Sequence, residues 1–156
     1  MHLDPMSASE IRAWLADVWA SYFDDMVGAG FTPDYARANI EQNQSSLFAD
    51  GIPNAQQRFF HLVDGEERVG GLWVARRGDD DSREWFIYNI EVAHSHRGRG
   101  LGRAAMLAAE DYVRSHGGTK LNLNVFGPNA IARRLYESLD YRTIAIGMSK
   151  DLLEPS

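Results

Sequence analysis

Three glycines at alternate positions, Gly98, Gly100 and Gly102, stand between a strand-like segment and a helix-like one, with Arg97, Arg99 and Arg103 interleaved. The preceding segment, Trp85 to Ala93, is rich in aromatic and β-branched residues and reads as a strand. After the glycines, Leu101, Ala104, Ala105, Ala108 and Tyr112 recur at helical spacing, so a helix begins near Gly100. Glycine takes φ > 0 without strain and lets a ligand approach the backbone. The start of a helix offers unpaired N–H groups and the positive end of a dipole. Together these make a phosphate or pyrophosphate site. The same stretch constrains topology, because a strand–helix–strand unit in one sheet crosses over right-handedly and pairs in parallel.

The type of phosphate ligand is narrowed by what surrounds the glycines. A Walker loop is excluded, since no Lys-Ser/Thr pair follows Gly102. Gly100-x-Gly102-x-x-Ala105 fits a dinucleotide fingerprint formally. That motif follows its strand directly and has an acidic residue at the end of the next strand. Here Ala93-His94-Ser95-His96-Arg97 intervenes, and the next strand, Thr119 to Phe126, carries no acid. A glycine turn that binds nothing is the other alternative.

The rest of the chain reads as one domain, residues 1–156, of mixed α/β class. Its length supports a substantial core, and 44% hydrophobic and 11% aromatic residues are globular values. Ser7-x-x-Glu10 is a capping box ahead of a helix with Ile11, Trp14, Leu15, Val18, Tyr22 and Met26 on one stripe, widened by Trp19 and Phe23. Gly28-Ala29-Gly30 ends it, and Thr32-Pro33 starts a second, surface helix with a thin apolar edge of Ile40, Leu47 and Phe48. A loop at 51–54 leads to strands at 58–63 and 68–77 joined by a hairpin at Asp64-Gly65. Residues 78–82 hold three aspartates that read as a solvated hairpin tip rather than a metal site. The strand 84–93 and the glycine turn follow. The helix after them stops at Gly117-Gly118; then come a strand at 119–126, a helix at 129–139 and a last strand at 141–150. The order ααβββαβαβ predicts a central mixed sheet flanked by helices.

No run of apolar residues approaches membrane-spanning length, no secretory leader is visible, and there is no cysteine. A cytoplasmic location is the default these features leave. A disulfide framework and a cysteine nucleophile are excluded. The net charge of −6 argues against a nucleic-acid partner and favours a cationic one.

Val92-x-x-x-x-Arg97-Gly98-x-Gly100-x-Gly102 resembles the acetyl-CoA motif of the GNAT N-acetyltransferases, written Q/R-x-x-G-x-G/A. Leu121-x-Leu123-x-Val125-Phe126-Gly127-x-Asn129-x-x-Ala132-x-x-Leu135-Tyr136-Glu137-x-Leu139-x-Tyr141 resembles the family's second motif. The two cover residues 85–141 in the right order. The Val125-Phe126-Gly127-x-Asn129 wording and the Met148-Ser149-Lys150 ending are similar to a bacterial branch. The resemblance implies the GNAT fold, with a short first strand inside the first ten residues or absent.

It also implies a set of roles. Backbone N–H groups of Gly98, Arg99, Gly100, Leu101, Gly102 and Arg103 would hold the pyrophosphate of acetyl-CoA, with Arg97 and its neighbours adding charge. Ile90 and Val92 would pair with the pantetheine arm, and an N–H near Val92 would polarise the thioester carbonyl. Asn129 and Ala132 would lie along the arm. Tyr136 would protonate the departing thiolate, a role open to a phenol that is protonated at neutral pH. Glu91 is the candidate base or acceptor ligand, re-aimed by a bulge frequent at this point in the family. Plainer readings stand beside these: Asn129 as an N-cap after Pro128, Tyr136 as a half-buried aromatic, and Glu91 as a solvent-facing or paired carboxylate. His94 and His96 flank the turn for phosphate or solvent contact, and His61 is structural.

The acceptor that the resemblance implies is the amine of a small molecule or a peptide, attacked directly, with neither metal nor membrane expected. Its recognition surface would come from the first two helices and residues 51–57. Asn124 stands where some protein N-terminal acetyltransferases carry Glu, which weakens a protein N-terminus as acceptor. Asp140 replaces the family's usual glycine, at a point where φ > 0 would be tolerated. A non-catalytic acyl-CoA-binding module and a Rossmann-like nucleotide-binding domain are the rivals. A homodimer is left open.

Overall fold

In the computed structural model, which describes residues 1–153, a five-stranded sheet of order β1-β4-β5-β6-β7 carries helices on both faces. The last three residues of the expected 1–156 domain lie outside that description. The short first strand is present: β1 (His2–Pro5) pairs antiparallel with β4 (Gln57–Asp64). Helix α1 (Ala8–Gly28) follows, and the Ser7 hydroxyl accepts from the Glu10 N–H at 3.2 Å. Only this half of the expected capping box forms, because the Glu10 carboxylate turns to His61 and Arg68 instead. Helix α2 (Pro33–Leu47) is capped by Thr32, which accepts from Tyr35 N–H at 3.2 Å, and buries only Ala36.

The loop expected at 51–54 is part of a two-stranded ribbon, β2 (Phe48–Ala49) with β3 (Ile52–Pro53). Asp50 and Gly51 make its turn, both at φ > 0, the geometry that matches the twist of a tight hairpin. Strands β4, β5 (Glu67–Arg76) and β6 (Glu84–Val92) form an antiparallel meander. Helix α3 (Leu101–Ser115) then crosses over, and β7 (Lys120–Leu123) pairs in parallel with β6. Helix α4 (Ala130–Ser138) closes the regular structure.

The core has two layers because alternate strand residues face opposite ways. Leu62, Leu72, Val74 and Ile87 meet Leu101, Ala105, Met106, Ala109 and Val113, which share one stripe of α3. On the other face Phe59 and Trp73 lie under α1 with Met6, Val18 and Phe48. Trp73 stacks on Phe59 at 5.3 Å and on Tyr88 at 4.8 Å, and its indole N–H reaches Gln57 Oε1 at 2.8 Å. That bond satisfies a donor which burial would otherwise leave unpaired.

Two strand expectations are corrected. The strand placed at 119–126 stops at Leu123, because its partner β6 swerves after Ile87 and ladder pairing ends there. The last strand, placed at 141–150, is absent: residues 142–153 pair with no strand among the described residues. Asp140 sits at φ 68°, and Tyr141 is held on α3 by its hydroxyl, which donates to Glu110 at 3.0 Å. Beyond Tyr141 the chain leaves the body of the protein.

Candidate active site

The swerve of β6 organises the site. Trp73 pairs with Asn89 while the next residue, Val74, pairs with Ile87, so Tyr88 is an inserted bulge residue. A bulge bends its strand and re-aims the side chains beyond it. From Asn89 to Val92, β6 stays paired with β5 on one side, and from Tyr88 to Val92 it has no ladder partner on the other. The backbone of β6 beyond Ile87 therefore keeps one edge free of ladder hydrogen bonds, on the side of the chain that follows β7. Asn89 sits at this bend, and its side-chain oxygen is buried with no hydrogen-bond partner among the described residues.

Glu91 pairs with Gly71 across the ladder and lies on the face covered by α1. The indole N–H of Trp14 donates to Glu91 Oε1 at 3.0 Å. Gly71 makes this contact possible, since a Cβ there would stand 2.5 Å from the Trp14 ring. Its neighbour Gly70 would place a Cβ 2.0 Å from the Glu91 carbonyl oxygen. Trp14, Gly70 and Gly71 are the residues the sequence did not single out for this site. The Gly70-Gly71 pair inside a strand was the available signal, because strand glycines mark close backbone approach.

The glycine turn begins with a 3₁₀ turn, His94–His96, that the sequence did not announce. Gly98 and Gly100 both take left-handed conformations, φ 78° and 73°, and no atom outside the adjoining residues lies within 4 Å of a Cβ placed on either. Gly100 is the N-cap of α3 with no capping side chain. The helix N–H groups are thus uncapped beneath open space, which suits an anion. Gly102 differs. It is not at positive φ, and its Cβ would come 3.3 Å from Leu135 Cδ2, so its smallness brings α3 and α4 together. The arginines are tied locally. Arg97 Nε donates to the Val92 carbonyl at 3.0 Å, Arg99 faces His96 and Asp64, and Arg103 donates to Ser138 Oγ at 3.1 Å.

Ile90 and Val92 pack toward the layer under α3, opposite Glu91. Asn129 accepts from the Ala132 N–H at 3.2 Å as the N-cap of α4, so its plainer reading holds in this structure. Tyr136 packs with Leu135 and Leu139 against the α3-side core, 6.0 Å from the Tyr141 ring. Burial raises its phenol above the ordinary tyrosine value, which keeps it protonated. Tyr136 and Glu91 therefore belong to opposite faces of the sheet. His61 is paired with Glu10, as a structural histidine would be, and His96 lies 3.8 Å from Glu67.

On the α1 face, Tyr22 reaches Phe126 in the loop after β7, with ring centroids 5.6 Å apart. Burial raises its phenol as well, with Tyr35 adding to the shift. An open cleft between α1 and α2 is lined by Leu15, Trp19, Glu41, Gln44 and Phe48.

The model of the acetyltransferase (GNAT) family matches residues 12–141. The chain belongs to that family, and it is an acetyltransferase by class. It is 31% identical to an uncharacterized N-acetyltransferase, YycN, from Bacillus subtilis (strain 168), over 96% of this chain and 97% of that protein. The crystal structure of YycN superposes with a TM-score of 0.88 over 97% of this chain and 98% of that one. YdgE of the same organism, also an uncharacterized N-acetyltransferase, is 26% identical over 96% of this chain and 97% of its own length. The fold recurs in AAC(6')-Iy, solved with a bisubstrate analogue, CoA-S-monomethyl-acetylneamine, at 15% identity, a TM-score of 0.56, and coverage of 97% and 98%. Family membership removes the Rossmann-like alternative. Among the described residues no helix is long and apolar enough to cross a membrane.

Proposed function

We propose that the protein moves an acetyl group from acetyl-CoA directly to a primary amine. The observation that carries this is the pairing of an open glycine turn with an unpaired strand edge that precedes it in the chain. Gly98 and Gly100 leave open space over the uncapped start of α3, and the unpaired edge of β6 from Tyr88 to Val92 leads up to it. A phosphate-bearing head fits the first and an extended amide arm fits the second, by adding to a free strand edge. No other phosphate ligand discussed above needs both.

The thioester brings the acetyl group; the chain supplies binding, polarisation and protons. Backbone N–H groups from Gly98 to Arg103 take the pyrophosphate, helped by the dipole of α3. The edge of β6 near Val92 offers an N–H to the acyl oxygen as charge builds on it. Tyr136 gives its proton to the departing sulfur. Glu91, oriented by Trp14 through one carboxylate oxygen, keeps the other free to take a proton from the amine or to bind its charge. Asn129 and Ala132 flank the arm at the start of α4. The acceptor enters from the α1 face, past Trp19 and Glu41, where acidic and aromatic groups suit a cationic amine.

Calorimetry with acetyl-CoA, NAD and ATP, followed by thiol release across a panel of amines, polyamines, amino acids and peptides, tests the reading. Acetyl-CoA binding in preference to the nucleotides, with thiol released for at least one amine, is the expected result. Tighter NAD binding would reject it. Acetyl-CoA binding with no release for any amine would favour a non-catalytic acyl-CoA-binding module.

A further inference from the structure

One polar group on the α1 face of β6 has no partner. Asn89 pairs with Trp73 across the ladder and Glu91 pairs with Gly71. Both side chains therefore stand on the face that α1 covers, two positions apart on one strand. The Asn89 side-chain oxygen is buried and has no hydrogen-bond partner among the described residues. Its cross-strand neighbour Trp73 commits its indole N–H to Gln57 Oε1 at 2.8 Å, and Trp14 commits its own to Glu91 Oε1 at 3.0 Å. The Tyr88 ring beside it is stacked on Trp73 at 4.8 Å. A buried carbonyl oxygen without a donor is destabilising, and its retention calls for a donor that the chain itself does not supply. Asn89 as a whole is half-buried, so a change of side-chain rotamer can bring the oxygen to such a donor.

We propose that Asn89 makes the site select primary amines: its oxygen accepts one N–H of the acceptor nitrogen while the free carboxylate oxygen of Glu91 faces the other. Residues two positions apart on a strand have Cα atoms about 6.6 Å apart. One nitrogen making two hydrogen bonds of about 2.9 Å spans oxygens at that spacing. The inference rests on the acyl-transfer reading with Glu91 as its base. The lone pair of the neutral amine forms the C–N bond as the C–S bond breaks. The N–H facing Glu91 leaves as a proton to that carboxylate, and the departing sulfur takes the proton of Tyr136. The N–H on Asn89 stays, as the single N–H of the amide product. Solvent then carries a proton from Glu91 back to Tyr136. An N-methyl amine has only one N–H. It can satisfy Glu91 or Asn89 but not both, and it leaves a polar group of the site unpaired beside a methyl group.

Thiol release from acetyl-CoA tests this, measured with n-butylamine, tyramine, agmatine and leucinamide and with each amine methylated at the reacting nitrogen. For the amine the wild type uses best, kcat/KM is expected to exceed that of its N-methyl derivative by about a hundredfold or more. Asn89→Leu is expected to lose about tenfold or more on the primary amine and little on the derivative, so the ratio narrows from the primary side. Acetyl-CoA affinity by calorimetry should stay the same. Melting temperature should be unchanged or higher, because an apolar side chain removes the unpaired oxygen. Asn89→Ala gives the same reading if leucine is too large for the bulge. A wild type that uses both amines equally would overturn the role of Asn89 and leave acyl transfer standing. So would a ratio unchanged in both variants. A ratio that narrows because the N-methyl amine speeds up would mean that Asn89 acts by bulk, and would overturn it too. No release with any amine would instead reject the acyl-transfer reading, and this inference with it.

Discussion

Glu91 keeps its position because residue 71 has no side chain. The Trp14 ring occupies the space a Cβ would need, and its N–H fixes one carboxylate oxygen. Sequence could nominate Glu91 from its neighbourhood to the glycine turn, but the Trp14 contact spans 77 positions and leaves no local trace. Tyr136 is the opposite case: the motif pointed to it, and the structure adds a raised phenol held protonated by burial. Replacing Tyr136 by Phe keeps the ring packed against Leu135 and Leu139 and removes only the hydroxyl. If it protonates the leaving sulfur, turnover falls by about 10²-fold or more with little change in acetyl-CoA affinity or melting temperature. A steady-state assay alongside calorimetry on that variant checks it. Near-normal turnover would return Tyr136 to a packing role.

The start of α3 can be tested against its own far end. Gly100 and Gly117 bracket the helix, both left-handed and both open around a prospective Cβ. Alanine at either position meets the same backbone strain, about 1–2 kcal/mol. Only Gly100→Ala puts a methyl over the uncapped helix N-terminus. The expected outcome is a similar loss of stability in both variants and weaker acetyl-CoA binding in Gly100→Ala alone, read by denaturant unfolding and calorimetry. Equal affinities would remove the glycine turn from the site. Gly102 shows where reading at this scale falls short. Its place in the motif implied room for pyrophosphate, whereas its hydrogen faces Leu135 and sets the approach of two helices. Elements with their own periodicity and caps, α1, α2 and α3, were legible with their ends. β7 and the tail were not, because a strand is defined by its partner. The Tyr88 bulge removes one partner, and no strand of the chain itself takes up residues 142–153.

Across the whole molecule, the mixed sheet and the parallel β6–β7 crossover followed from element order and handedness. What order could not show is how distant elements are locked together. Asp4 of β1, Glu10 of α1, His61 of β4 and Arg68 of β5 form one charged cluster joining both ends of the antiparallel half. The His61 contact first, and also the Ser7 hydroxyl and the Arg68 charge, hold the Glu10 carboxyl below the usual carboxylate value against a smaller opposing effect of burial. A carboxylate whose folded pKa is depressed stabilises the fold above its unfolded pKa, near 4.5, and loses that contribution as pH falls through the lower folded value. Protonating Glu10 removes the anion that His61 and Arg68 share. Melting temperature should therefore fall on acidification below about 4.5 more steeply for the wild type than for Glu10→Gln, the two curves converging at the acid end. The difference should shrink in high salt, since the cluster is largely exposed. Parallel curves at every pH would mean that Glu10 contributes through its cap geometry at Ser7 and not through charge.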